Sequence, residues 1–140
     1  IVDSIQINES AVAGANAILL IVSVLGEKTA ELLSHSKALG LDAIVEVHNQ
    51  FELSVAVDAG ADIIGINNRN LHSFVEDINV CLELVRHVPK GIVKIAESSI
   101  KTPEDIRKIN NAGFDAVLIG EALVKSNKAA ALLKQMRSVL

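Results

Sequence analysis

Short apolar runs alternate along this chain with longer stretches in which hydrophobic and polar positions recur at helical spacing. Runs this short and rich in Ile, Val and Leu are typical of buried strands. The stretches between them are predicted to be helices because of their helical spacing, and they include 27–39, 50–59 and 77–87. Strands that alternate with helices favour a parallel sheet covered by helices. The predicted strands are Ala17–Val22, Ala43–Val47, Ile63–Ile66, Ile92–Ala96 and Ala116–Ile119, with Ile1–Val2 as the end of an earlier one.

Four apolar runs follow the same junction, in which a glycine stands two residues before Asp or Asn. Glycine adopts at little cost the left-handed conformation that ends many helices. Each copy is therefore predicted to connect a helix to the next strand, and functional groups are expected at the opposite, carboxyl ends of the strands. The copies are Gly14-Ala15-Asn16, Gly40-Leu41-Asp42, Gly60-Ala61-Asp62 and Gly113-Phe114-Asp115.

Two α/β architectures use this pattern. One is an open, doubly wound sheet, and the other is a (β/α)8 TIM barrel of about 250 residues, of which five β/α units would form a part. The local pattern is compatible with both. A chain of 140 residues predicts a single domain over residues 1–140. Because it begins at Ile1, without methionine and in the middle of an apolar segment, we expect it to be the later part of something longer.

Composition limits the partners, the cellular setting and the kinds of metal site that the chain can have. Half of the residues are hydrophobic, the net charge is −4, and Lys and Arg form no cluster, which argues against nucleic acid as a partner. Cys81 is the single cysteine, so a reducing, cytoplasmic setting is expected and no metal site built on cysteines can form. Apolar stretches are too short for a transmembrane helix, so no membrane partner is expected.

Polar side chains follow three neighbouring strands at the point where each strand ends. Since alternate residues of a strand face opposite sides, Glu46, Asn67 and Glu97 are predicted to share one face if the apolar residues between them pack against the helices. Two carboxylates and an amide at one edge suit general acid–base catalysis. The alternatives are solvated loop carboxylates for Glu46 and Glu97, and a simple turn residue for Asn67.

A second candidate site is an anion site after the last two strands. Ser98-Ser99 and Gly120-Glu121 come where backbone N–H groups become free, and a short helical turn is predicted over 121–124. Gly120 alone is explained equally well by a turn. Arg69 is either a solvated loop residue or a partner for a substrate carboxylate. His48 could contact a ligand, but it is interpreted as a helix cap, and Cys81 is interpreted as a residue of the helix core.

Four segments, in this order and spacing, resemble the indole-3-glycerol phosphate synthase family. They are Glu46-Val47-His48, the run Ile64–Leu71, Ala96-Glu97-Ser98 and Leu118-Ile119-Gly120-Glu121-Ala122-Leu123. The run Ile64–Leu71 is the most specific of them. The resemblance covers essentially the whole chain, which would extend from the end of the third barrel strand through the last helix.

The resemblance implies a TIM-barrel lyase of tryptophan biosynthesis that uses no cofactor or metal. It would convert 1-(2-carboxyphenylamino)-1-deoxyribulose 5-phosphate to indole-3-glycerol phosphate, by ring closure with loss of carbon dioxide and then of water. Glu46 would be a catalytic base, while Asn67 and Glu97 would position the substrate. Arg69 would lie in the active-site loop and Leu71 would line the anthranilate pocket. The residues expected to hold phosphate are Ser98, Ser99, Gly120 and Glu121.

Two departures from the family pattern matter. Ser99 stands where the family has glycine, which would strain the backbone there if a positive φ is needed. The family's general-acid lysine would lie just before Ile1, and further active-site residues of the family belong to its first strand. The chain alone is therefore expected to have little or no activity.

Two alternatives to this family assignment stay open. One is another phosphate-binding barrel such as phosphoribosylanthranilate isomerase, and the other is a non-catalytic partial barrel that oligomerises. Fusion to, or association with, another tryptophan-pathway enzyme stays open.

Overall fold

The computed structural model describes residues 1–70 and 74–139. Within these segments five strands form one sheet in the order β1-β2-β3-β4-β5, and the pairs β1–β2 and β4–β5 are parallel. A doubly wound sheet reverses its strand order partway, whereas a barrel adds strands in sequence. The sheet is therefore part of a TIM barrel. The strands are β1 Ala17–Ile21, β2 Asp42–Val47, β3 Ile63–Asn67, β4 Val93–Glu97 and β5 Ala116–Leu118.

Helices connect the strands as the hydrophobic pattern predicts, with three differences. A short helix, α2, directly follows β1, the predicted helix over 77–87 ends in a 3-10 turn, and Ile1–Val2 is not a strand. The helices are α1 Ser4–Val12, α2 Val22–Leu25, α3 Lys28–Ala38, α4 Gln50–Asp58, α5 Asn79–Leu84 with the 3-10 turn Val85–His87, α6 Pro103–Asn111, α7 Glu121–Lys125 and α8 Ala129–Arg137.

The starts of α1 and α6 are fixed by capping boxes. Asp3 caps α1 in a reciprocal pair with Gln6, and Thr102 caps α6 in the same way with Asp105. Pro103 occupies the first turn of α6, where its missing N–H leaves no intrahelical bond unmade. These side chains stabilise the helices because the first N–H groups of a helix have no partner within it.

All four glycine junctions have the predicted backbone. Gly113 has a φ of +88°, and an added Cβ would meet nothing within 4 Å, so the backbone conformation rather than space favours glycine there. After the junctions, main-chain hydrogen bonds align the starts of the strands. The N–H of Asp42 donates to Asn16 O (3.0 Å), that of Val93 to Asp62 O (2.9 Å) and that of Asp115 to Lys94 O (2.9 Å).

The chain has two compact units, one formed by Ile1–Gly65 with Pro89–Val93 and the other by Ile66–Val88 with the residues from Lys94 onward. Each has an apolar core. In the first unit it includes Ile7, Leu20, Leu33, Val45, Leu53 and Ile64, and in the second Ile66, Cys81, Ala96, Ile106, Ile109 and Met136. No helix in the described segments is long and apolar enough to cross a membrane.

Two large apolar side chains within the predicted helix ranges are exposed. Phe51 of α4 is 77% exposed, and α4 buries Glu52, Leu53 and Ala56 instead. Leu39, the last residue of the predicted helix over 27–39, lies just beyond the end of α3 and is 43% exposed. Nearly every second residue of α4 is apolar, so its sequence does not select a single buried stripe.

Candidate active site

The three polar residues at the ends of β2, β3 and β4 are buried. Glu46 is 3% exposed, Asn67 8% and Glu97 4%. The apolar residues that alternate with them are fully buried; they are Val45, Val47, Ile64, Ile66 and Ala96. Burial contradicts the interpretation of Glu46 and Glu97 as solvated loop carboxylates.

In the first unit, Glu46 lies beside an imidazole that is itself held by a second carboxylate. His48 Nε2 is 3.2 Å from Glu46 Oε1, and His48 Nδ1 is 3.0 Å from Glu52 Oε2. The Nε2–Oε1 pair is at ion-pair distance but is not aligned as a hydrogen bond, so we treat it as electrostatic. Glu46, and after it Glu52, raises the pKa of His48, and together the two carboxylates outweigh the opposing effect of burial.

His48 is not the helix cap that the sequence suggested. Asn49 caps α4, because its Oδ1 accepts from the N–H of Glu52 at 2.9 Å. Glu52 was missed as a member of this cluster, although the spacing Asn49-x-x-Glu52 is the sequence signature of a capping box. The imidazole of His48 therefore takes no part in capping α4 and lies between the carboxylates of Glu46 and Glu52.

In the second unit, Asn67 and Asn68 organise the loop after β3. Asn67 Oδ1 accepts from the N–H of Arg69 at 2.9 Å, the turn geometry expected of an Asn that follows a strand. Asn68, which sequence reasoning passed over, is 2% exposed. Its Nδ2 donates to Ser98 O (3.2 Å), its Oδ1 accepts from the N–H of Cys81 (3.0 Å), and its own N–H donates to Glu97 O (2.9 Å). Asn68 thus joins the loops after β3 and β4 to the start of α5.

The loop after β4 has an unusual backbone. Ser98 and Ser99 both have positive φ, +62° and +57°, a conformation that costs residues other than glycine roughly 1–2 kcal/mol each. The Ser99 hydroxyl is buried and has no hydrogen-bond partner within residues 1–70 and 74–139. A buried hydroxyl without a partner is unfavourable unless a ligand supplies one.

A cavity of about 210 Å³ opens beside these serines. Its lining contains the loop after β4, the junction of β5 with α7 and two residues of the loop after β3. Four of the predicted substrate-binding residues therefore line the same cavity as Arg69. The polar lining residues and the glycine are Arg69, Glu76, Ser98, Ser99, Lys101, Gly120 and Glu121. Leu71, the remaining predicted binding residue, lies outside the described residues.

Charged side chains at the cavity form a connected chain of ion pairs. Arg69 pairs with both Glu76 and Glu121, Glu76 also pairs with Lys101 at 2.7 Å, and Glu121 also pairs with Lys125. Lys101 and then Arg69 lower the pKa of Glu76, while Lys125 and then Arg69 lower that of Glu121. Arg69 is thus oriented by two carboxylates rather than extended into solvent, and its own pKa is raised, first by Glu76.

A parallel β/α sheet with polar residues at the carboxyl ends of its strands is the arrangement of a TIM-barrel enzyme. A family model of indole-3-glycerol phosphate synthase matches residues 1–136. Curated relatives with that name include the proteins of Thermoanaerobacter sp. (strain X514), 52% identical over 89% of this chain, and of Chloroherpeton thalassium, 46% identical over 94%. The chain belongs to the indole-3-glycerol phosphate synthase family.

The chain spans about half the length of these relatives, 48% of the first and 51% of the second. Among solved structures, 3-hexulose-6-phosphate synthase from Salmonella typhimurium is similar over 100% of this chain and 69% of its own, with a TM-score of 0.82 and 17% identity. Thiamine phosphate pyrophosphorylase from Pyrococcus furiosus is similar over 95% of this chain and 63% of its own, with a TM-score of 0.74 and 16% identity. Both similarities concern the fold.

Proposed function

We propose that the protein carrying this chain is an indole-3-glycerol phosphate synthase, a carbon–carbon lyase of tryptophan biosynthesis. Its substrate would be 1-(2-carboxyphenylamino)-1-deoxyribulose 5-phosphate, converted by ring closure with loss of carbon dioxide and then of water. The observation that carries the proposal is the match of the family model along residues 1–136. The buried carboxylates of Glu46 and Glu97 support it, because dehydration requires a proton acceptor and a proton donor.

We assign Glu46 as the catalytic base and Asn67 and Glu97 as residues that position the substrate and its intermediates. All three are buried, so water competes little for their polar atoms and their interactions with a ligand are strengthened. Asn67 keeps its Nδ2 group as a donor for the substrate while its Oδ1 holds the turn to Arg69.

We assign the cavity of the second unit to the substrate phosphate. Ser99 contributes a buried hydroxyl without a partner among the described residues, and the N–H groups of Glu121 and Ala122 stand at the start of α7, where a helix offers them no acceptor. Arg69 and Lys101, both of them paired with carboxylates of the cavity, place cationic groups at the rim. Phosphate bound there would orient the reacting end of the substrate, which is how remote binding energy accelerates a reaction.

The direct test is an assay of the full-length protein with purified 1-(2-carboxyphenylamino)-1-deoxyribulose 5-phosphate, in which formation of indole-3-glycerol phosphate is followed by its absorbance and fluorescence. We expect turnover in buffer treated with a chelator and without added cofactor. Isomerisation of phosphoribosylanthranilate in its place would overturn the proposal in favour of a different phosphate-binding barrel.

Ser99 tests the phosphate assignment. In the full-length protein, Ser99→Gly and Ser99→Ala are both expected to raise KM about 2–10-fold with little change in kcat, because each removes one hydrogen bond of about 0.5–1.5 kcal/mol. Ser99→Ala keeps the strained backbone and Ser99→Gly relieves it, so the pair separates the hydroxyl from the conformation. A KM unchanged in both variants would show that the hydroxyl does not contact the phosphate.

A further inference from the structure

The cluster at the end of β2 contains two residues to which the proposed reaction gives no role. His48 follows the strand directly, and Glu52 lies in the first turn of α4. The side chains of Glu46, His48 and Glu52 are 5%, 12% and 12% exposed. They form a largely buried row in which the imidazole separates the two carboxylates.

Glu52 is held so firmly that it can fix the imidazole. Its Oε2 accepts from both the backbone N–H (2.8 Å) and the Nδ1 (3.0 Å) of His48, and its Oε1 accepts from Asn49 Nδ2 (2.7 Å). Because Asn49 in turn caps the N–H of Glu52, the carboxylate has one position relative to the end of β2. With Nδ1 committed to Glu52, the other nitrogen of the ring, Nε2, lies 3.2 Å from Glu46 Oε1.

Among the described elements packed against this row, α3 carries charged residues, and these are paired elsewhere or exposed. Strands β1 and β3 and helix α2 consist of uncharged residues. On α3, His35 is paired with Asn8 and Lys37 with Asp62, while Lys28 and Glu31 are exposed. Within the described residues, Glu46 and Glu52 are the carboxylates in contact with His48 and the causes of its raised pKa.

We propose that His48 is a positioning residue for Glu46, which Glu52 keeps oriented and charged. An imidazolium 3.2 Å from Glu46 favours the ionised form of that carboxylate and restrains its rotation, while the proton on the imidazolium stays in place during the reaction. The proposal rests on the proposed function for the role of Glu46 as the base. A consequence is that Glu46 can accept a proton from the substrate at a lower pH than it could without His48.

The first test needs no turnover. The imidazole of His48 is titrated by NMR in the full-length protein, its signal being assigned by its loss in His48→Gln. We expect a pKa above the ordinary 6.5, a lower value in Glu52→Gln, and no change in Glu31→Gln, which alters an exposed carboxylate of α3. An ordinary value in the wild type, or no shift in Glu52→Gln, would overturn the proposal.

The second test is the pH profile of kcat/KM. In His48→Gln and Glu52→Gln the limb at acidic pH is expected to move to higher pH, with activity below it falling roughly tenfold for each unit of displacement. A purely structural role would lower the whole profile without moving this limb. An unmoved limb in an active enzyme contradicts the positioning role, whereas a wild type without turnover contradicts the proposed function and leaves the NMR result standing.

Discussion

Glu46→Gln in the full-length protein is expected to lower kcat by about 10²–10⁴-fold. The substitution keeps the size and shape of a side chain that is 3% exposed, but an amide cannot accept a proton as a carboxylate does. KM should change much less, since the phosphate end of the substrate is bound elsewhere in our assignment. The measurement is steady-state kinetics with 1-(2-carboxyphenylamino)-1-deoxyribulose 5-phosphate, supported by a thermal unfolding curve for each protein.

The matched control for this variant is Glu31→Gln, the same chemical change at an exposed position of α3. It should leave kcat and KM as they are in the wild type. The substitution of Glu46 also removes the carboxylate that contributes most to the raised pKa of His48, so that pKa should fall in the same variant. A kcat within about threefold of the wild type would exclude Glu46 as the base.

Asn68→Ala is expected to destabilise the protein by about 2–6 kcal/mol, because it leaves one buried and one partly buried backbone group without partners at roughly 1–3 kcal/mol each. One is the carbonyl of Ser98 and the other is the N–H of Cys81. The latter lies in the first turn of α5, whose own N-cap residue makes no side-chain bond to the helix, so Asn68 acts as its cap from a distance. The measurement is urea unfolding followed by circular dichroism.

Asn68→Asp tests the contact with the Ser98 carbonyl separately from the contact with the N–H of Cys81. It keeps an acceptor for Cys81 but places a carboxylate against the Ser98 carbonyl, so it should also destabilise the protein. Asn110→Ala, at an exposed position of α6, is the control and should change the free energy of unfolding by less than about 0.5 kcal/mol. If Asn68→Ala stays within that same range, the contacts of Asn68 are not important for stability.

The parts of the fold that could be predicted are those decided by neighbours in sequence. Apolar runs fixed five strands within a residue or two, and the glycine junctions and the Thr102-Pro103 start of α6 have local causes. The alternation of side chains along a strand singled out Glu46 and Glu97 as candidates, whereas their burial is shown by the structure.

What could not be predicted depends on partners distant in sequence. Asn68 bonds to residues 13 and 30 positions away, and Arg69 pairs with Glu121 across 52 positions, so no local pattern indicates either contact. The order of the strands is likewise a property of the assembled sheet. The cluster of His48 and Glu52 is different, since its capping spacing was visible in the sequence and its meaning required the geometry.

The glycine junctions and the candidate functional residues lie at opposite ends of the strands. The junctions and the main-chain bonds that align the strand starts lie at the amino ends of the strands, whereas the buried carboxylates and the cavity lie at the carboxyl ends. Loops at the second edge can therefore be lengthened or exchanged without altering the first. An engineer who grafts new recognition loops onto this scaffold should leave Gly14, Gly40, Gly60 and Gly113 untouched and vary the opposite side.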